Sequence, residues 1–192
     1  SSMCQEHGTC ISGFCNCSQD WFGRDCSETK SEYQKRRGLT ATLIDKSVTN
    51  CYQNAELAIY FPSCVNLLSG LVGDPEILEE TSITKVLTFF TNDTKSLLDP
   101  GDSSLSEGTA SAIIGIVSSF VDKARILKQN NSNSPTWDSG ALSKLVDMVA
   151  HNQLTTKSSV NISRRSVDLV AKSTSAEALP AQKFSLGVKS GF

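Results

Sequence analysis

The sequence predicts a small disulfide-rich module followed by a mainly α-helical domain of about four to five helices that leads into β-strands. Three observations predict it. Five of the seven cysteines crowd into Cys4–Cys26, 23 positions with few large apolar residues. Such a stretch cannot build a conventional core; it reads as a framework of disulfides, which persist only in an oxidising compartment. From Leu39 onward apolar residues recur at three- and four-residue intervals, the period of a helix with one buried face. After about residue 160 the period drops to two, as in a half-buried strand. The expected divisions are 1–27 for the knot, 28–38 for a polar linker or helix start, 39–160 for the helical domain and 161–192 for two strands opening a β-rich domain.

The knot has gaps of five, four and one residues between Cys4, Cys10, Cys15 and Cys17, then eight residues to Cys26. Gly23 is expected to supply a positive-φ turn. Trp21 and Phe22 are expected to cover the bridges as a miniature core. The competing reading is a metal site built on His7 and the cysteines. Zinc sites use paired Cys-x2-4-Cys knuckles, and none occurs here, so no metal or cofactor is expected.

Gly8-Thr9-Cys10, the Cys15-x-Cys17 pair and Trp21-Phe22-Gly23 before Cys26 resemble an EGF-like module. The short gap between Cys10 and Cys15 is similar to the compact modules of tenascins and teneurins. The resemblance puts Cys4, Cys10, Cys15, Cys17 and Cys26 on the second to sixth family cysteines and implies the pairs Cys4–Cys15 and Cys17–Cys26. The resemblance implies that Cys10 pairs with a first cysteine that would lie before Ser1, and this sequence does not contain one. Either the chain is a piece cut through the module, which is the reading taken, or Cys10 is a thiol or bridges to another chain. Closing the Cys17–Cys26 loop should contribute roughly 2–3 kcal/mol, mainly by restricting the unfolded chain.

Residues 27–38 are polar and charged. Lys35-Arg36-Arg37 invites a proprotein-cleavage reading, but Gln34 stands where such a site wants arginine, so a solvated helix face is expected. Leu39, Leu43, Ile44 and Val48 are expected on one inward face, followed by a partly irregular 51–61 segment. Pro62 suits a first helical position leading to Val65, Leu67, Leu68 and Leu71. Gly70 and Gly73 mark that helix's end, and Asp74-Pro75 reads as cap and start of the next. Its inward set is Ile77, Ile83, Val86, Leu87 and Phe90, and it stops near Asn92–Asp93. Ser104-Leu-Ser-Glu107 has capping-box spacing. Behind it Ile113, Ile116, Val117, Phe120, Ala124 and Leu127 form a stripe running to about Gln129. Asp138 is expected to cap a last helix with Leu142, Leu145, Val146, Val149 and Leu154 inward. Cys51 and Cys64 are expected to form a disulfide worth about 3 kcal/mol.

Val167, Leu169 and Ala171, and then Phe184, Leu186 and Val188, alternate as two strands. The stretch Val65-Asn-Leu-Leu-Ser-Gly-Leu-Val-Gly-Asp-Pro-Glu-Ile-Leu-Glu-Glu, the Ser104–Glu107 box with its helix, and Ser166-Val-Asp-Leu-Val-Ala-Lys to Lys183-Phe-Ser-Leu resemble the GAIN region of adhesion receptors, found also beside the receptor-for-egg-jelly module of polycystin-related proteins. That resemblance, over about residues 39–192, implies a helical subdomain passing into a β-sandwich, truncated or not. The family's self-cleavage needs a His-Leu-Ser/Thr tripeptide framed by Cys and Trp. The histidines here are His7 and His151, neither precedes such a tripeptide, and no cysteine follows Cys64.

Net charge is −2, which points to neither nucleic acid nor an anionic membrane surface. The longest apolar run, residues 112–117, is far short of the roughly 20 needed to span a bilayer. Asn16, Asn92, Asn130 and Asn161 head Asn-x-Ser/Thr sequons and are glycan candidates in an oxidising compartment. Glu79–Glu80 are adjacent on a helix and so point apart; His151 has no nucleophile in view. No enzyme is expected. The chain reads as an extracellular adhesion or interaction segment of a cell-surface receptor with protein partners. A structural subunit of an extracellular filament is the alternative, self-associating through an open β-edge near residues 166–190.

Overall fold

Bonded sulfur organises the described residues up to Thr29 into two short antiparallel pairs. The computed structural model describes residues 4–11, 14–53, 57–98, 105–129, 135–155, 158–172 and 185–188. Strand β1 (Gly8–Ile11) pairs with β2 (Phe14–Cys17), and β3 (Trp21–Phe22) with β4 (Glu28–Thr29). Helix α1 (Lys30–Gln53) follows β4 with no residue between. Thr29 and Glu32 form a capping box: the Thr29 N–H donates to Glu32 Oε2 at 2.9 Å and the Glu32 N–H to Thr29 Oγ1 at 3.4 Å. Residues 28–38 are the end of a strand and the first turns of a helix.

The inward face of α1 is Ile44, Ser47, Val48 and Cys51. Leu39 and Leu43, expected to share it, are 56% and 50% exposed. Helix α1 packs on helix α2 (Leu57–Leu71) and is bridged to it through Cys51–Cys64. Pro62 sits inside α2 instead of starting it. It lacks the N–H that the Ala58 carbonyl would accept. The helix nevertheless starts earlier, because that brings Phe61, 2% exposed, into the core. Val65 and Leu68 point inward, while Leu67 is half-exposed, again against expectation.

Asp74-Pro75 does not start a helix. Asp74 Oδ1 accepts from the Glu76 N–H at 3.2 Å, making an Asx turn that buries Ile77 and Leu78. Helix α3 (Glu80–Thr88) begins beyond it and widens into a π-helix over Phe89–Asp93. The wider turn lets the adjacent Phe89 and Phe90 both be buried, against Phe61 and Tyr52. Thr94 is fully buried beneath it; its hydroxyl donates to the Phe89 and Phe90 carbonyls at 3.1 and 3.3 Å. A single turn, α4 (Lys95–Leu98), follows.

Helix α5 (Glu107–Gln129) is the central pillar. Ser106 caps it, its Oγ accepting from the Thr109 N–H at 3.1 Å; Ser104, half of the expected box, lies outside the described residues. Ala110, Ile113, Ile114, Ile116, Val117 and Phe120 are all buried, so α5 is covered on more than one side. It packs on α2, on α6 (Ser139–Leu154) and on the sheet. Asp138 caps α6, Oδ1 accepting from the Gly140 N–H at 2.8 Å. On α6 the buried Asn152 accepts from the Leu105 N–H at 2.8 Å and donates to the Leu98 carbonyl at 3.4 Å, tying both residues to α6.

Three strands close the fold in the order β5 (Ser159–Ser163), β6 (Val167–Lys172) and β7 (Ser185–Val188), all antiparallel. The sequence reading missed β5. Val160, Ile162, Val167, Leu169 and Ala171 join the same hydrophobic core as the helices. The line expected at 160/161 falls inside β5. The turn between β5 and β6 docks on α5: the Ser166 N–H donates to Ser118 Oγ at 2.9 Å, the Ser166 hydroxyl to Asp122, and Arg164 Nε to the Ser111 carbonyl at 3.0 Å. No closed sandwich forms among the described residues. The outward face of β5 and β6 presents exposed Ser159, Asn161, Ser163, Val170 and Lys172. Phe184 lies outside the described residues.

Candidate functional site at the junction of knot and helices

Inside the knot, sulfur replaces an oily interior. Cys4 and Cys26 are buried, and the bridges are Cys4–Cys15 and Cys17–Cys26, the pairs the family resemblance implies. Cys10 is exposed on β1, in register with Cys15. Gly8 touches the second bridge: a Cβ there would lie 2.5 Å from Cys26 Sγ and 2.8 Å from the Asn16 carbonyl oxygen. Gly23 has φ +89°, a conformation L side chains rarely adopt. Gln5, Glu6, Asp20 and Cys26 also have positive φ, so all such non-glycine residues among those described lie in the knot.

The aromatic residues divide the knot's two sides. Trp21 stacks on His7 with centroids 3.4 Å apart. Phe22 does not stay within the knot as a miniature core; it stacks on Tyr33 of α1 at 4.9 Å. Arg36 then grips both parts. Its guanidinium meets Glu28 of β4 through Nη2 at 2.8 Å and Nε at 3.0 Å, and Asp74 of the α2–α3 turn through Nη1 at 2.5 Å. The fork geometry favours arginine over lysine here, and the part-exposed network is worth about 1 kcal/mol or less. Arg37 pairs with Glu79 at 3.2 Å. The Lys35-Arg36-Arg37 run is therefore not merely a solvated face: two of its three members hold acids from distant turns.

Beneath these pairs, Tyr33 Oη and Lys123 Nζ both donate to the Glu76 carbonyl oxygen, each at 2.9 Å. Burial raises the Tyr33 hydroxyl pKa. Burial, with nearby Asp74, also raises the Glu76 carboxyl, whereas burial and the charge of Arg37 depress the Lys123 ammonium. Glu80 accepts from the Thr136 N–H at 2.7 Å and from its hydroxyl, which lowers the Glu80 carboxyl.

Residues 1–29 match the family model of the Teneurin-like EGF domain. The match ends at Thr29, one residue before α1. No curated protein and no solved structure matches the chain. The likeness thus covers the EGF-like knot up to the capping box.

The remaining candidate residues are spread apart. Cys51 and Cys64 are bridged within the core, far in sequence from the EGF-like knot. Asn16, Asn92 and Asn161 are exposed; Asn130 lies outside the described residues. The hydroxyls that complete the first two sequons have structural tasks: Ser18 donates to the His7 carbonyl at 2.6 Å, and Thr94 serves the π-helix. His151 is exposed on α6. Glu79 and Glu80 diverge to Arg37 and Thr136. Among the described residues no group of three or more His, Cys, Asp or Glu is placed to hold a metal ion, and no helix is long and apolar enough to cross a membrane. A surface groove of about 280 Å³ between α3 and α6 is lined by Thr84, Leu87, Thr88, Asn92, Asp138 and Lys144. The junction itself was hidden from sequence reading, although Thr29-x-x-Glu32 carried a capping-box signal that marks where α1 begins.

Proposed function

We propose that this chain is an extracellular, non-catalytic interaction segment of an adhesion-type cell-surface receptor. The EGF-like knot serves as spacer and contact module, and a GAIN-like helical domain supports it. The observation that carries the reading is the match of residues 1–29 to the Teneurin-like EGF domain on a segment held by two disulfides, with a third in the core. Bridges of this density belong to secreted and surface domains. The direct run from β4 into α1, clamped by Arg36, suits a part that presents the knot at a set angle. Support for the GAIN-like part is the order of the chain, helices and then antiparallel strands, together with its sequence patterns.

The test is to secrete the chain from cultured animal cells as a dimeric fusion and measure its binding to a panel of cell surfaces. Saturable binding that protease treatment of those surfaces removes, and that a version lacking residues 1–29 loses, is the expected result. Reduced cysteines in the native protein, or turnover of a substrate in place of binding, would sink the reading. Concentration-dependent fibres on sizing would favour the filament alternative.

A further inference from the structure

We propose that Asn161 carries an N-linked oligosaccharide that covers the outward face of the three-stranded sheet. The proposal rests on the extracellular reading above. Strand β5 alternates cleanly: Val160 and Ile162 are buried, while Ser159, Asn161 and Ser163 are exposed. Asn161 and Ser163 are the two sequon positions that recognition requires, and both face solvent. Directly across the ladder, the Cα partner of Asn161 is Val170, 46% exposed. It is the one exposed large hydrophobic residue of the sheet among those described.

Facing side chains of an antiparallel pair lie about 5 Å apart at their Cβ atoms. The apolar C–H face of the first sugar on Asn161 therefore reaches Val170. The positions flanking Asn161 on the same face of β5 are serines, which leave room for it. Among the described residues β5 has one hydrogen-bonded neighbour, β6, so it is an edge there. A bulky hydrated group there opposes the addition of a foreign strand.

In the transfer, Asn161 Nδ2 attacks the anomeric carbon of an oligosaccharide carried on a lipid diphosphate. The new C–N bond forms, the C–O bond to the diphosphate breaks, one amide proton goes to a base, and the lipid diphosphate leaves.

The chain secreted from animal cells is treated with an amidase that releases N-glycans, in heavy-oxygen water, and its peptides are weighed. The expected result is labelled aspartate at position 161 in most molecules, and loss of one glycan's mass in Asn161→Gln. Label at Asn16 or Asn92 but not at 161 overturns the proposal and leaves the extracellular reading standing, as does intact bridging with no label anywhere. No label together with reduced cysteines overturns both. The shielding role is read separately: Asn161→Gln should bind more of a hydrophobic dye, and Asn161→Gln with Val170→Ser should return to the starting level. Equal dye binding by all three proteins would refute the shield.

Discussion

Two single atoms illustrate how closely the junction and knot are set. A methyl group at Gly8 would have to share space with the Cys26 sulfur and the Asn16 carbonyl, neither of which is the free end of a flexible side chain. Gly8→Ala should therefore lower the yield of the Cys17–Cys26 bridge on oxidative folding, read by peptide mapping without reduction; full native pairing at unchanged stability would contradict this account. Lys123 offers the opposite case. It is 7% exposed, and its ammonium donates to a carbonyl that Tyr33 already serves. Because burial depresses its pKa, the charged form costs stability at neutral pH, and the cost fades as pH rises from the folded value toward the ordinary 10.5. Lys123→Met should keep or raise the unfolding midpoint and flatten that alkaline rise. A loss of more than about 1 kcal/mol would show instead that the hydrogen bond dominates.

Among the elements, α1 depends on its two ends. At its start, the Thr29 N–H and hydroxyl hold the Glu32 carboxylate and lower its pKa below the ordinary 4.5. A depressed acid stabilises above its unfolded pKa and loses that contribution as pH falls through the folded value. The stability difference between the native chain and Glu32→Gln should be present near neutral pH and vanish once pH has fallen through the folded value. A difference that persists there would mean the glutamate acts through packing. At its other end, the Cys51–Cys64 bridge spans a sequence separation of 13 and joins α1 to α2. Replacing both cysteines by alanine should cost about 3 kcal/mol in denaturant titrations. A cost near zero would mean that contact between α1 and α2 already holds the two ends together in the unfolded chain.

At the scale of the molecule, the knot is not strung on a flexible tether. β4 ends at Thr29, α1 begins at Lys30, and Phe22, Glu28 and Arg36 cross the boundary. Small-angle scattering of the native chain should fit one rigid shape. A Gly-Ser insertion between Thr29 and Lys30 should require an ensemble and a larger maximum dimension. If both profiles fit the same single shape, the clamp is not what holds the angle.

Much of this organisation was legible from residues near one another in the chain. Cysteine crowding, the positive-φ glycine at 23, the Asp138 cap and the stripe from Ile113 to Phe120 are local signals, because their physics is settled within a turn or a loop. Other features waited for partners far away. Which side of α1 faces inward follows from where α2 lies. Pro62 sits inside a helix because Phe61 reaches the core. Strand β5 joins the helical core because Ser111, Ser118 and Asp122 on α5 hold the turn that follows it, across more than 40 residues. Arg36 reads in sequence as one charge in a basic run, and only folding brings Glu28 and Asp74 to it. Propensity and capping are energies of neighbours in the chain; burial and pairing are energies of neighbours in space.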